Sequence, residues 1–97
     1  MAVWQERAEL LFKAEGIDTL KNVNILVVGL GGVGSFAAEF LVRAGVGNMT
    51  IVDGDVIDVT NINRQLPALH STIGQPKIQI LADLLLHIIP QLNFIRL

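Results

Sequence analysis

The chain has 97 residues, enough for one small domain with a single core. It is 52% hydrophobic, with a mean hydropathy of +0.56, yet glycines, Asp83 and His87 break its apolar runs well short of the ~20 residues a bilayer requires. A formal charge of −2 exerts no global pull on nucleic acid, and the lack of cysteine excludes disulfides, cysteine–zinc sites and thiol catalysis within these residues.

The N-terminus carries Glu6, Arg7 and Glu9 early and lacks the basic-then-apolar order of a signal peptide, so a cytoplasmic, non-membrane protein is expected. Residues 2–14 read as a helix with Trp4, Ala8 and Leu11 on one face. Glu9 and Lys13 stand at i,i+4 spacing, which favours the helix. Such a helix would dock on the domain or on a second subunit. Gly16 is expected to end it, and residues 18–22 to form a connector.

Ile25 to Val28 is a short, continuous apolar run rich in branched residues, and predicts a strand over 23–28 buried on both faces. Gly29, Gly31 and Gly34 then fit G-x-G-x-x-G, with Gly32 inside the turn. Such a turn lets a phosphate approach the backbone, and the following helix offers free N–H groups and a partial positive charge to an anion. Val33, Phe36, Ala37, Phe40, Leu41 and Ala44 recur at helical spacing and predict a core-facing stripe, with Glu39 and Arg43 on the other side. Gly45 is a natural stop, reinforced by Gly47.

Residues 49–53 read as a second strand, giving a βαβ unit with parallel strands and a right-handed crossover. Asp53 closes it, where the dinucleotide fold places an acid on ribose hydroxyls. Asp55 and Asp58 follow in a polar loop as turn formers. Residues 60–65, TNINRQ, crowd Asn61, Asn63, Arg64 and Gln65 into an irregular segment. Residues 68–71 suggest one helical turn, Gly74 breaks the chain, and Pro76 suits a helix start. Ile78, Leu81, Ala82, Leu85, Ile88 and Ile89 form that helix's apolar face, opposite Gln79, Asp83 and His87. Asp83 and His87 read as a solvated pair, and His70 as a surface histidine. Pro90 ends the helix, and residues 92–97 begin a third strand. The expected fold is α/β, a Rossmann-like parallel sheet with flanking helices and the first strand central. Leu26, Val28, Val33, Phe36, Phe40, Ile51, Leu81 and Leu85 should be buried.

Lys77 is placed oddly, because a cation in a first helical turn opposes the helix dipole at about 0.3–1 kcal/mol. An anionic ligand would offset that. With Arg64 it supplies two cations near a phosphate-binding turn, which suits a triphosphate better than the diphosphate of NAD. When a carboxylate attacks the α-phosphate of ATP, charge builds on the phosphoryl oxygens and on departing pyrophosphate, and fixed cations stabilise both.

GLGGVG, IVDGD, NINRQ and GQPK together resemble the ATP-binding half of the ThiF/MoeB/HesA family, relatives of the ubiquitin-activating enzymes that adenylate a carboxylate. The resemblance covers nearly the whole chain. It implies an N-terminal part of an ATP-binding adenylating domain, with residues 1–22 as helix and connector and 23–97 as a βαβαβ unit. It implies that Asp53 holds the ribose and that Asn61, Arg64 and Lys77 contact the phosphates, with Gln65 and Asp55 close by. Arg64 and Lys77 would act in catalysis. Arg7 would join them by reaching a neighbouring subunit's ATP, which implies a homodimer. NINRQLPAL is most similar to the tRNA threonylcarbamoyladenosine dehydratases, which use ATP to activate a carboxylate on tRNA. A ubiquitin-like sulfur carrier is the alternative substrate. The family's Mg2+-binding aspartate lies beyond a fourth strand, after Leu97, so no metal ligand is expected here. An NAD-dependent oxidoreductase shares the glycines and Asp53 but gives no role to Arg64 and Lys77. A non-catalytic nucleotide-binding or dimerising module is the third alternative.

Overall fold

The computed structural model describes residues Val3–Leu97. A 3-10 turn at Val3–Gln5 leads into helix α1 (Glu6–Asn22), followed by β1 (Asn24–Val28), α2 (Gly32–Ala44), β2 (Asn48–Val52), a 3-10 turn at Val59–Asn61, α3 (Lys77–Ile88) and β3 (Asn93–Arg96). The three strands are parallel in the order β1-β2-β3. The expected strands and the helices near Val33 and Pro76 are therefore present within one or two residues. The first strand is not the middle one among the described residues. Both crossovers step the same way, so β2 is central and β1 is left at an edge.

That topology puts α2 and α3 on one face. Val27 of β1 and Met49 and Ile51 of β2 join Ala38 and Val42 of α2 and Leu81, Ala82 and Leu85 of α3 in one buried cluster. Opposite residues in register point the same way, so Leu26, Thr50 and Ile95 share the other face, as do Val28 and Val52. No helix covers that face among the described residues, and Leu26 is 61% exposed. The expectation that Leu26 and Val28 are buried is thereby corrected, because burial on both faces needs helices on both sides.

The α2 stripe is corrected as well. The face toward the sheet carries Ser35, Ala38 and Val42, whereas Val33 is 85% exposed and Phe36 and Phe40 are also exposed. The two phenyl rings lie against each other, their centroids 6.3 Å apart. Size explains the choice of face. A Cβ on Gly34 would lie 1.8 Å from the Gly29 carbonyl oxygen, so the start of α2 sits hard against the end of β1. Only small side chains fit beneath a helix held that close, and the aromatics turn outward. At its far end Gly45 adopts φ 110°, and Gly45 N–H to Val42 O and Val46 N–H to Leu41 O close a Schellman motif.

The N-terminal helix also departs from expectation. Its predicted start at Ala2 lies outside the described residues. It does not end at Gly16 but runs to Asn22, so residues 18–22 are helical rather than a connector. Burial of Ile17 outweighs the helix penalty of the adjacent glycine, about 1 kcal/mol. The interruption comes earlier, at Lys13, whose φ of 61° is left-handed. This bend removes the i,i+4 geometry with Glu9, and the one ion pair among the described residues joins Arg43 to Glu39 at 3.3 Å. Trp4 is half-exposed at a cleft against the domain and Leu11 is exposed, so the predicted face is docked only at its start. Residues 68–71 form hydrogen-bonded turns rather than a helical one, held by Thr72 Oγ1, which donates to Pro67 O at 2.7 Å. Asp83 and His87 are both exposed, but their carboxylate and ring do not pair. Asp83 accepts from Gln79 Nε2, and His87 Nδ1 lies 2.7 Å from the Asp83 carbonyl oxygen.

Leu81→Ala, at the centre of the cluster, should cost about 2–5 kcal/mol in urea unfolding, whereas Leu26→Ala should cost less than about 1 kcal/mol. Equal losses would show that a covering element buries the open sheet face in solution.

Candidate functional site

The carboxyl ends of parallel strands are where a doubly wound sheet can bind a ligand. Three loops meet there. The turn after β1 carries Gly29, Gly31 and Gly32, and Gly31 stands as N-cap of α2 with no side-chain cap and no acid in the first turn. The first N–H groups of that 13-residue helix therefore keep their positive end free for an anion. The third glycine, Gly34, makes the close helix–strand contact described above.

Asp53 follows β2 and joins two of the loops. Its Oδ2 accepts the Leu30 N–H at 2.7 Å and its Oδ1 the Asp55 N–H at 2.7 Å. The loop after β2 is pinned in turn to the start of α3. Asp55 O accepts the Lys77 N–H at 3.1 Å, Ile57 N–H donates to Gln75 O at 2.9 Å, and Gly74 N–H donates to Ile57 O at 2.8 Å. Asp55 itself is exposed. Asp53 thus holds the glycine turn in place, a task the sequence did not reveal.

Lys77 is only 6% exposed, and its side chain makes no hydrogen bond or ion pair among the described residues. Lysine is seldom this buried without a partner. Its charge acts on Asp58, which is otherwise occupied. The Thr60 hydroxyl and the Thr60 N–H both donate to Asp58, and these bonds, with a smaller contribution from Lys77, hold its carboxyl below the usual range. Asp58 and Asn61 form a reciprocal cap on the 3-10 turn, with Asp58 N–H donating to Asn61 Oδ1 at 2.8 Å. Asp58 therefore has the turn-forming role expected of it, whereas Asp55 takes part in the loop through its backbone N–H and carbonyl. Asn61 is buried, and its Nδ2 has no partner among the described residues.

Arg64 runs its aliphatic stem past the glycine turn, with Cγ 3.5 Å from where a Cβ on Gly32 would stand. Its Nη1 donates to Thr60 O at 3.2 Å and Asn63 Oδ1 at 2.9 Å, and the guanidinium is solvent-exposed. Gln65 is buried, with Nε2 3.8 Å from the corresponding point on Gly31 and Oε1 unpaired. The structure thus brings Gly31, Gly32, Arg64 and Gln65 together, ties in Asp53 and Asp55, and links Lys77 through the Asp55 carbonyl. Sequence reasoning missed Ser35, which lies fully buried between α2 and the segment after Gln65. Its position directly after the third glycine was the available signal.

Arg7 is not among these residues. Gln5 Nε2 lies 3.1 Å from where a Cβ on Gly45 would stand, so the start of α1 packs at the far end of α2. A 13-residue helix separates the two ends by on the order of 20 Å. The same far end holds a cleft of about 840 Å3 between α1 and the amino ends of the strands, lined by Trp4, Ile17, Lys21, Val46 and Leu92 among others. His70 is exposed, as expected of a surface histidine. Among the described residues no three histidines, aspartates or glutamates come together to hold a metal ion, and no helix is long and apolar enough to cross a membrane.

Known proteins resemble both the sequence and this geometry. A model of the ThiF family matches residues 5–97. A tRNA threonylcarbamoyladenosine dehydratase of Bacillus subtilis (strain 168) is 52% identical over 91 residues, covering 94% of this chain and 36% of that protein. A molybdopterin-synthase adenylyltransferase of Salmonella typhimurium is 43% identical over 82 residues, covering 84% of this chain and 33% of that protein. The E. coli tRNA N6-threonylcarbamoyladenosine dehydratase TcdA, solved in complex with ATP, superposes with a TM-score of 0.93 at 35% identity, over 100% of this chain and 41% of that one. The chain therefore spans little more than a third of the length of these relatives.

The Asp58 cap gives a pH signature. A carboxylate whose folded pKa is depressed adds stability that is complete above its unfolded value, about 4, and is lost as pH falls through the lower folded value. Asp58→Ala should therefore be less stable than the parent chain in urea unfolding at pH 7, and the gap should narrow below about pH 4. A gap independent of pH from 7 to 2 would show that the Asp58 charge does not contribute.

Proposed function

Because the chain belongs to the ThiF family, we propose that it binds ATP and is the nucleotide-gripping part of an enzyme that activates a carboxylate by adenylation. The observation that carries this reading is the buried Lys77, unpaired among the described residues and held by the loop that Asp53 fastens to the glycine turn, against which the Arg64 stem lies. A hydride-transfer site needs neither cation. An NAD-dependent oxidoreductase thus accounts for the glycines and Asp53 and leaves Lys77 with no reason for its burial.

The residues fit ATP. The uncapped start of α2 takes phosphate oxygens, and the unpaired Nδ2 of Asn61 is a further donor. Asp53 can accept from ribose hydroxyls with the lone pairs not used by Leu30 and Asp55. Lys77 and Arg64 neutralise charge on the transferred phosphoryl group and on pyrophosphate, Lys77 as a desolvated point charge and Arg64 as a fork. Bound ATP supplies an activated α-phosphate. Magnesium is not assigned to these residues, since no acidic cluster among them would hold it.

The carboxylate is most consistent with that of threonylcarbamoyladenosine in tRNA, given the 52% identity to a dehydratase that acts there by name. A ubiquitin-like sulfur carrier is the second reading, favoured by the 43% identity to a molybdopterin-synthase adenylyltransferase. The chain would work as a homodimer in the cytoplasm. Arg7 is exposed and far from its own glycine turn, so an ATP contact by Arg7 would have to be made in a second copy.

Calorimetric titration with magnesium tests this. ATP should bind and NAD should not. Asp53→Ala should weaken ATP and AMP alike, by roughly ten-fold, because both carry the ribose. Lys77→Ala should weaken ATP by roughly ten-fold or more and AMP much less. Binding of NAD in preference to ATP would overturn the reading, and equal losses for the two nucleotides would remove Lys77 from the phosphate site.

A further inference from the structure

The segment carrying Arg64 and Gln65 is irregular, so something must fix its distance from the glycine turn. One side chain spans the two. Ser35 is 0% exposed, and its Oγ donates to the Gly31 carbonyl at 2.6 Å and accepts the Leu66 N–H at 3.3 Å. The first bond is a common habit of helical serine, which often returns its hydroxyl to the carbonyl four residues back. The second is not local, since Leu66 lies 31 residues away and directly follows Arg64 and Gln65. The serine backbone N–H also reaches Gly31 O, at 3.1 Å, so both donors of one residue hold the carbonyl of the α2 N-cap.

We propose that Ser35 is a positioning residue for the phosphate grip: its hydroxyl couples the glycine turn to the Arg64–Gln65 segment and sets the spacing of the groups that face the oligophosphate. This rests on the ATP-binding reading above. Two further observations agree with it. The Arg64 stem lies 3.5 Å from the Cβ position of Gly32, a spacing that a shift of the segment would open. The Gln65 amide is buried beside Gly31 with Oε1 unpaired, so the segment's place against the turn is not set by a hydrogen bond to that oxygen. The small size of serine also matters, because the buried face of α2 at this level accepts only small side chains.

Ser35→Ala removes the hydroxyl and little volume, so the variant should fold, and its urea midpoint is the control. ATP and AMP affinities are measured by calorimetry on the 97-residue chain for the parent, Ser35→Ala, Arg64→Ala and the double variant. Ser35→Ala should weaken ATP roughly five-fold and AMP by less than roughly two-fold, as expected for one displaced hydrogen bond acting on the phosphates. In the double variant the losses should not add, since without Arg64 there is less for the hydroxyl to position. Equal weakening of ATP and AMP, or full additivity with Arg64→Ala, would reduce Ser35 to a structural role and overturn the inference. Unchanged ATP affinity would overturn it while leaving the ATP reading intact. A parent chain that binds no ATP would overturn that reading and the inference together.

Discussion

The contact on which the rest depends is the approach of Gly34 to the Gly29 carbonyl. No side chain at all fits between them, since a Cβ would stand 1.8 Å from the oxygen. This closeness fixes the first turn of α2 over the end of β1. It makes the sheet-facing positions of α2 small, at Ser35 and Ala38, and so decides that Phe36 and Phe40 face out. It also aims the helix's free N–H groups into the space beyond the strands, where an anion is stabilised by the helix dipole.

Around that fixed point the site is assembled by backbone N–H groups meeting side-chain and carbonyl oxygens. Leu30 N–H on Asp53 fastens the first loop to the second, and Lys77 N–H on the Asp55 carbonyl fastens the second to α3. Leu66 N–H on Ser35 brings in the arginine segment. Each bond is worth only about 0.5–1.5 kcal/mol net, but breaking one leaves a polar group without a partner and lets a loop drift. The positive charges are held by this frame, and among the described residues neither Lys77 nor Arg64 is in an ion pair. Lys77 is buried, and an anion sharing its surroundings would be attracted to it.

Much of this was legible in the sequence. Branched apolar runs mark the strands, the glycine spacing marks the turn, and the strand-end acid Asp53 and the cations Arg64 and Lys77 stand out by position, with the family resemblance agreeing. What failed did so for definable reasons. Periodicity on α2 marks the stripe from Val33 to Ala44, whereas close packing puts the smaller face of Ser35, Ala38 and Val42 against the sheet. Leu26 and Val28 read as buried because a parallel strand is normally covered twice, but no element among the described residues covers their face. Gly16 read as a stop, yet the long-range contact that buries Ile17 is invisible to local propensity. Ser35 was overlooked because its partner is 31 residues away, and hydrogen bonds of that span leave no local pattern.

On the proposed reading the carboxyl ends of the strands, not the 840 Å3 cleft at their amino ends, form the nucleotide site. Amide chemical shifts of the 15N-labelled chain, followed as ATP and magnesium are added, test it most directly. The account predicts saturable shifts confined to Gly29–Gly34, Asp53–Asp55, Asn61–Gln65 and Lys77, with Lys21, Gly47 and Leu92 unmoved. Shifts centred on Lys21, Gly47 and Leu92, or none at all at millimolar ATP, would contradict it.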